Sequence, residues 1–418
     1  VTDLRRTIDA IWRIESAKLV AGLARMVRDV GLAEELAQDA LVAALEAWPA
    51  SGVPENPGAW LTATAKRRAI DVLRRHAMLA RKHQVMGAGE PDRVRPEVEA
   101  MLDDPIGDDR LRLLFISCHP VLSIEARVAL TLRLVGGLTT EEIARAFLAQ
   151  EPTIAQRIVR AKRALADAHV PFELPAAPEL ADRLASVLEV IYLIFNEGYA
   201  ATAGDDWMRP ALCEEALRLG RIVAELAPSE PEVHGLVGLM EIQASRLGSR
   251  TGPSGEPVLL LDQDRGRWDR LLIQRGLAAL ERAERLGPGR RYYLLQGAIA
   301  ACHARAATAD ATDWKRIASL YVELVEVAPT PVVELNRAMA VAMADGAAAG
   351  LAIADALCEA PELRRYHLLP SVRGDLLAKL GRREEARAEL ERAASLTKNA
   401  REREVLLARS RSLAEVTQ

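Results

Sequence analysis

The stretch LTTEEIARAFLAQEPTIAQRIVRAKRALADA, residues 138–168, holds two short amphipathic runs separated by a break. Thr139 or Thr140 places a hydroxyl at the head of the first run, whose body EEIARAF turns Ile143 and Ala144 inward. Such hydroxyls cap helices by accepting from first-turn amides. A turn at Ala149–Pro152 follows. Thr153 then stands as the cap of a second helix, with Ile154, Ile158 and Ala161 on one face and Gln156, Arg157, Arg160, Lys162 and Arg163 on the other. This is the pattern of a helix-turn-helix, whose second helix lies in a major groove. Gln156 and Arg157 at its N-terminal end can donate paired hydrogen bonds to base edges, whereas Arg160 and Arg163 further along suit phosphates.

Upstream, residues 1–48 read as two helices. Leu19, Val20, Leu23, Met26 and Val27 repeat at helical spacing, Gly31 interrupts, and Leu36, Ala40, Leu41, Ala44, Leu45 and Trp48 share the next face. PASGVPENPG, 49–58, is a loop by composition, and Pro57 is suited to be the first residue of a following helix. That helix, AWLTATAKRRAIDVLRRH, turns Trp60, Leu61, Ala65, Ala69, Val72 and Leu73 inward. Its segment 66–82 carries Lys66, Arg67, Arg68, Arg74, Arg75, Arg81 and Lys82 against only Asp71. Clustered base on a chain of net charge −4 is the local footprint of a phosphate-binding face. With Asn56 in the preceding loop, this helix suits a single strand; Trp60 offers a stacking face, although its phase on the helix favours core packing.

Residues 84–108 mix Gly, Pro and acid without a period and read as a flexible linker. PFELPAAPEL, 171–180, is a second, Pro-rich boundary. From 181 onward the chain reads as helices that tend to close on prolines (Pro228, Pro288, Pro329, Pro361), interrupted by one long loop at 245–266. GDLLAKLGRREEARAELERAASL, 374–396, spaces Gly374, Gly381, Ala386, Leu390 and Ala393 as a helix-turn-helix repeat of tetratricopeptide type. The fold class is therefore all-α. The expected parts are a domain over 1–83, the linker 84–108, the helix-turn-helix domain 109–170, the linker 171–180 and a helical repeat extension over 181–418.

Composition agrees. Aromatic residues make up 4% of the chain while apolar residues make up 50%, so Ala and Leu build the core, which favours helices over sheets. Four scattered cysteines with no C-x-x-C pair fit a reduced cytoplasm and argue against structural zinc. The opening VTDLRRTIDAIWRIE has no long apolar run, so no signal peptide is expected, nor any membrane span. Seven histidines stand singly, and no H-E-x-x-H, phosphate-loop, dinucleotide or nucleophile-elbow motif occurs. No catalysis, cofactor or metal is expected.

The ordered segments GLAEELAQDALVAALEAWP (31–49), NPGAWLTATAKRRAIDVLRRH (56–76) and LTTEEIARAFLAQEPTIAQRIVRAKRAL (138–165) resemble a bacterial extracytoplasmic-function sigma factor over roughly residues 5–170. YLIFNEGYAAT (192–202) and the repeat-like tail are similar to the subgroup with a long C-terminal tetratricopeptide-like extension. The resemblance implies core RNA polymerase and promoter DNA as partners, and a cytoplasmic factor. It implies that Glu35, Gln38 and Asp39 meet the clamp coiled coil of the polymerase largest subunit. It implies that loop 50–56, with Asn56 and Trp60, holds a flipped base of the −10 element while Lys66, Arg67, Arg68, Arg74 and Arg75 track the strand. Thr153, Gln156, Arg157 and Arg160, flanked by Lys162 and Arg163, would read the −35 element, and the linker would run near the RNA-exit path. The family turn usually carries Gly, where Leu148 stands here, and Glu151 adds a negative charge.

For the tail, repeat arrays present surfaces for peptides or partner helices. Phe195, Asn196, Glu197, Gly198 and Tyr199 are expected to form a structural turn or to contact the sigma domains. The tail is expected to regulate in cis or to bind a protein partner. A one-component regulator with a sensing tail would explain 138–165 but leaves the basic helix at 59–75 and the polar face of 33–47 without a role; a repeat scaffold would leave both basic clusters idle.

Overall fold

A computed structural model of the chain describes residues 2–84, 106–147, 149–201, 203–204, 206–252, 256–287, 289 and 291–415. Residues 85–105 of the expected linker, Leu148 and Pro288 lie outside them, as do the side chains of Arg81 and Lys82. The chain divides into two units, Val1–Ile191 and Tyr192–Gln418.

The first unit is helical throughout its described elements: α1 (Thr2–Val27), α2 (Val30–Ser51), α3 (Pro57–Gln84), α4 (Ile106–Ser117), α5 (Ile124–Leu134), α6 (Thr140–Ala146) and α7 (Glu151–Asp167). α1 packs on α2, α3 and α4, and α2 packs on α3. Leu19, Leu23 and Ala24 of α1, Leu36, Ala40, Ala44 and Trp48 of α2, and Leu61, Ala65 and Ala69 of α3 are all buried. The small alanines let the helix axes approach closely, while Trp48, 1% exposed, fills the end of the layer.

The interruption between α1 and α2 falls before Gly31, which is already helical. Arg28 takes a left-handed conformation with φ 54°, and Asp29 caps α2 through Oδ1, which accepts from the Leu32 amide at 2.9 Å. A carboxylate cap satisfies an orphan amide and favours the positive helix end, so Asp29 starts the helix and Gly31 is free to ride inside it. Leu45 also departs from its expected face: it is 40% exposed.

The second unit starts at the last turns of α8 (Ala177–Tyr199) and continues through α9 (Pro210–Leu226), α10 (Pro231–Ala244), α11 (Arg270–Leu286), α12 (Tyr292–Arg305), α13 (Trp314–Val327), α14 (Pro331–Asp345), α15 (Ala347–Ala356), α16 (Leu368–Lys379), α17 (Arg383–Leu396) and α18 (Ala400–Glu415). From α9 on, each helix packs on its successor; α10 also packs on α12, and α14 on α16. Neighbour-on-neighbour contact of this kind is the packing logic of helical repeats. One close approach is between α10 and α11. A Cβ on Gly238 would stand 2.9 Å from the Gly276 carbonyl, and one on Gly276 would stand 2.9 Å from the Gly238 carbonyl, so the two backbones touch where both side chains are missing.

The segment 245–266 is a loop with short turns of tight helix at Leu247–Ser249, Leu260–Asp262 and Arg265–Arg267. A two-residue parallel pairing, β1 (Ala203–Gly204) with β2 (Lys398–Asn399), joins the segment after α8 to the turn before α18. The buried Asn399 secures it, its Nδ2 donating to the carbonyls of Ala201 at 3.0 Å and Asp206 at 2.8 Å. Among the described residues no helix is long and apolar enough to cross a membrane.

Candidate nucleic-acid interface

α6 and α7 are set by their caps. Thr139 Oγ1 accepts from the Glu142 amide at 3.1 Å, and Glu142 returns the contact to the Thr139 amide at 2.8 Å, a reciprocal capping box. α7 begins earlier than its hydroxyl suggests. Its N-cap is Gln150, with no side-chain bond, and Pro152 occupies the first turn. Proline is preorganised for that position and lacks the amide that would otherwise need a partner, so Thr153 sits inside the helix, exposed, rather than capping it.

Ile154, Ile158, Ala161 and Leu165 bury one face of α7 against α5 and α6. Gln156, Arg160 and Arg163 are exposed on the other, with Arg157 half-buried. Lys162 is turned away from that open face. Its ammonium pairs with Glu34 of α2, which also receives Arg133 Nε of α5 at 2.6 Å. Glu34 is 5% exposed. Burial pushes its carboxyl upward, but Lys162 and Arg133 outweigh burial and hold it below the ordinary carboxylate value. A second buried carboxylate, Asp109 of α4, bonds Arg112 Nη1 at 2.6 Å and lies 3.5 Å from Arg25 Nε of α1. Two buried acids that the sequence reading did not single out thus seat α7 and α5 on α2, and α4 on α1. The available signal was their phase: Glu34 falls among Ala33, Leu36 and Ala37 on the buried stripe of α2.

On α3, Asn56 is the cap. Its Oδ1 accepts from the Ala59 amide at 3.0 Å. Trp60 stands edge-on to Trp48, ring centroids 5.4 Å apart, so one side of its ring belongs to the core. Arg67, Arg74 and Arg75 are exposed. Arg68 Nη1 lies 3.0 Å from Asp39 of α2, a pair open to solvent on both sides. Glu35 and Asp39 are exposed and Gln38 half-buried on α2, beside the exposed apolar Val42 and Leu45. Between α1 and α3 lies a cavity of about 650 Å³, lined among others by Asn56, Thr62 and Lys66 of the α3 side and by Glu15 and Lys18 of α1.

In the second unit the segment 195–199 is helical, the end of α8, rather than a turn. Gly198 is required there for a different reason: a Cβ would stand 2.7 Å from the Cys213 amide of α9. Phe195 is buried and stacks on Tyr199 with centroids 5.7 Å apart, Glu197 pairs with Arg209, and Asn196 lines a cavity described below. Among the described residues no cluster of side chains is suited to a metal ion.

A helical domain with a basic third helix, followed by a helix-turn-helix with a basic exposed face, defines a promoter-reading initiation factor of the sigma type. The sigma-70 region 2 family matches residues 14–78 and the sigma-70 region 4 family matches residues 112–165. A family of unknown function, DUF6596, matches residues 183–284. An uncharacterised protein of Rhizobium meliloti is 43% identical over 92% of this chain and 90% of its own length. The probable ECF RNA polymerase sigma factor SigI of Mycobacterium tuberculosis is 27% identical over 39% of this chain and 56% of its own length. The ECF RNA polymerase sigma factor SigK of Mycobacterium bovis is 34% identical over 34% of this chain and 74% of its own length. The chain belongs to the extracytoplasmic-function sigma factors, in the group that carries a long helical C-terminal extension. Its role is in transcription initiation, and its domains imply core RNA polymerase and promoter DNA as partners.

Proposed function

We propose that this sigma factor reads a −10 element with α3 and the loop before it, reads a −35 element with the exposed face of α7, and is regulated in cis by its helical extension. The observation that carries the reading is a pair of solvent-facing basic surfaces on two separately capped helices: Arg67, Arg74 and Arg75 on α3, and Gln156, Arg160 and Arg163 on α7. Lys66 and Arg68 extend the first along the strand. Asn56, Thr62 and Lys66 border a cavity large enough for a flipped base. Trp60, with one side against Trp48, offers at most its remaining edge to that base. Thr153 and Arg157 stand beside Gln156 over the first turns of α7, where side chains reach base edges. Lys162 supports α7 from below rather than touching DNA.

Glu35, Gln38 and Asp39 form the polymerase-facing side of α2, with Val42 and Leu45 adding apolar area to a polar contact surface. The likeness to SigI and SigK supports this assignment for the first unit. For the extension, the support is its repeat packing, which leaves successive helices free to present one continuous surface.

Run-off transcription with purified bacterial core polymerase on a genomic fragment library tests the reading. Defined starts that depend on this protein and disappear on charge reversal at Arg67 and Arg68 are the expected result. Equal output from the full chain and from residues 1–175 would remove the regulatory role of the extension while leaving the sigma role intact.

A further inference from the structure

Three buried or half-buried arginines of the second unit, Arg246, Arg250 and Arg265, have no carboxylate within ion-pair distance among the described residues. Two of them bond mainly to neutral groups, although Nε of Arg265, like that of Arg246, is buried without a partner. Arg265 Nη1 donates to the carbonyls of His303 at 2.7 Å and Ala306 at 2.8 Å, and its Nη2 to Thr312 Oγ1 at 2.8 Å. Arg250 Nη2 donates to the Tyr199 carbonyl at 2.9 Å, its guanidinium lying 3.7 Å over the Tyr199 ring. Arg246 is different. It is 8% exposed, its Nη2 donates only to Gln243 Oε1, its Nε has no partner, and the rings of Tyr199 and Trp268 lie 5.7 Å away. A buried cation without a counter-charge is unfavourable, because no opposite charge offsets its lost hydration.

Arg246 lines a cavity of about 410 Å³ between α8, α10, α12, α13 and α14, a size in the range of small-molecule sites. Among the described residues no Asp or Glu lines it. Besides Arg246 its polar groups include the amides of Asn196, Gln243, Gln296 and Asn336, the hydroxyl of Thr330 and the ring of His303, whose Nδ1 is also buried and unpartnered. Burial, then Arg246 and Arg265, lower the His303 pKa to about 4, so at neutral pH the ring is an uncharged hydrogen-bonding group in a positive field. Three tyrosines, Tyr192, Tyr292 and Tyr321, add flat apolar walls, with Tyr192 Oη donating to Gln296 Oε1 at 2.9 Å. Leu260 of the 245–266 loop borders the same space.

We infer that this cavity is a binding site for a small organic anion, a planar molecule bearing a carboxylate that pairs with Arg246 while its body lies among the three tyrosines. The guanidinium supplies the free donors that suit a carboxylate, His303 and the amides complete its hydrogen bonds, and the tyrosine walls select a flat apolar body over a bare ion. The site lies wholly within the extension and goes beyond promoter recognition; its occupancy is measured without polymerase or DNA, so its failure and that of the sigma reading are separable.

The test is a thermal unfolding series on the full-length protein with benzoate, 4-hydroxybenzoate, phenylacetate and indole-3-acetate at about 10 mM. Their neutral amides, inorganic phosphate and chloride at matched ionic strength are the controls. At least one carboxylate raises the midpoint of the extension by about 2 °C or more, while its amide, phosphate and chloride do not. Arg246→Gln abolishes the shift, and so does Asn336→Trp, which blocks the cavity from an exposed position and leaves the arginine in place. Arg382→Gln, on the surface beside Glu385, keeps it. No shift with any of the four carboxylates overturns the inference, as does a shift reproduced by phosphate or one that survives both Arg246→Gln and Asn336→Trp.

Discussion

Glu34 of α2 holds Lys162 of α7, and the same carboxylate holds Arg133 of α5. One acid, nearly out of water, thus pairs with two cations from the helix-turn-helix half of the unit. Glu34→Gln leaves both cations near a neutral amide, which is expected to cost about 1–3 kcal/mol, since Lys162 and Arg133 keep some solvent. The pH dependence has a fixed sign. A carboxyl whose folded value lies below its ordinary 4.5 stabilises the fold fully above that value, and the contribution is lost as the pH falls through the folded value. Amide-exchange protection in α7 should therefore drop when the wild type is acidified below about pH 4.5, and the step should be absent in Glu34→Gln. An identical step in the variant would show that Glu34 is not its source.

The two sides of α7 should separate stability from specificity. Gln156→Ala removes an exposed side chain that can hydrogen-bond a base edge, so discrimination at one base pair of the −35 element should fall by about 1–3 kcal/mol with the fold unchanged. Lys162→Met removes a cation that faces Glu34, so it should lower stability and leave base preference as it was. Holoenzyme binding to a panel of single-base promoter variants, with urea unfolding of the same proteins, distinguishes the two effects.

α3 should act through phosphates. Each of Arg67→Ala, Arg74→Ala and Arg75→Ala is expected to weaken promoter binding across all sequences and to reduce the slope of log affinity against log salt by about one. Arg68 shares its charge with Asp39, but both groups are solvent-exposed and such pairs contribute about 0–1 kcal/mol, so Arg68 is available to DNA at small cost. Titrations of the holoenzyme on one promoter at several salt concentrations measure the slopes; an unchanged slope in all three variants would remove α3 from the phosphate-contacting surface.

What could be read in advance was whatever depends on local periodicity. Ile154, Ile158 and Ala161 mark the buried side of α7 by spacing alone, and Leu61, Ala65 and Ala69 do the same for α3. Misreadings arose where two local signals competed. Thr153 and Pro152 both announce a helix start, and the proline, fixed in φ, places it earlier. Gly31 and Asp29 both suggest a break, and the capping carboxylate decides it. Gly198 suggests a turn, but the physical demand is the approach of the Cys213 backbone. The phase of Glu34 on the buried stripe of α2 was legible, but its pairing was not, because Arg133 stands 99 residues away; Arg246 was hidden because its surroundings are assembled from five helices. Charges inside a core declare their purpose only once the fold has placed their neighbours.

The α10–α11 crossing gives a stringent test of packing in the extension. Gly276→Ala gains helix propensity worth about 1 kcal/mol, so on local grounds it should stabilise. The new Cβ, however, would stand 2.6 Å from Ile242 Cγ1 and 2.9 Å from the Gly238 carbonyl. The backbone oxygen cannot move aside as a side-chain end can, so the helices must separate, at an expected net cost of about 1–3 kcal/mol. A lower thermal midpoint for the extension checks this; a higher one would show that the two helices have room.

His303 should make the extension acid-sensitive in a window different from that of Glu34. Its folded pKa is lowered from 6.5 to about 4, by burial first and then by Arg246 and Arg265. Between these values the unfolded chain takes up a proton that the folded chain refuses, so stability rises with pH through the window and is fully regained above about 6.5. The total is of the order of 3 kcal/mol for a group this buried. His303→Gln keeps a polar side chain without the titration, so the decline in unfolding free energy from pH 6.5 to pH 4 should shrink by that amount. Chemical denaturation followed by circular dichroism at half-unit pH steps resolves the difference. Burial and the two guanidiniums together hold the imidazole neutral, so a carboxylate bound beside Arg246 should raise the His303 pKa towards its unfolded value and shrink the decline in stability between pH 6.5 and pH 4.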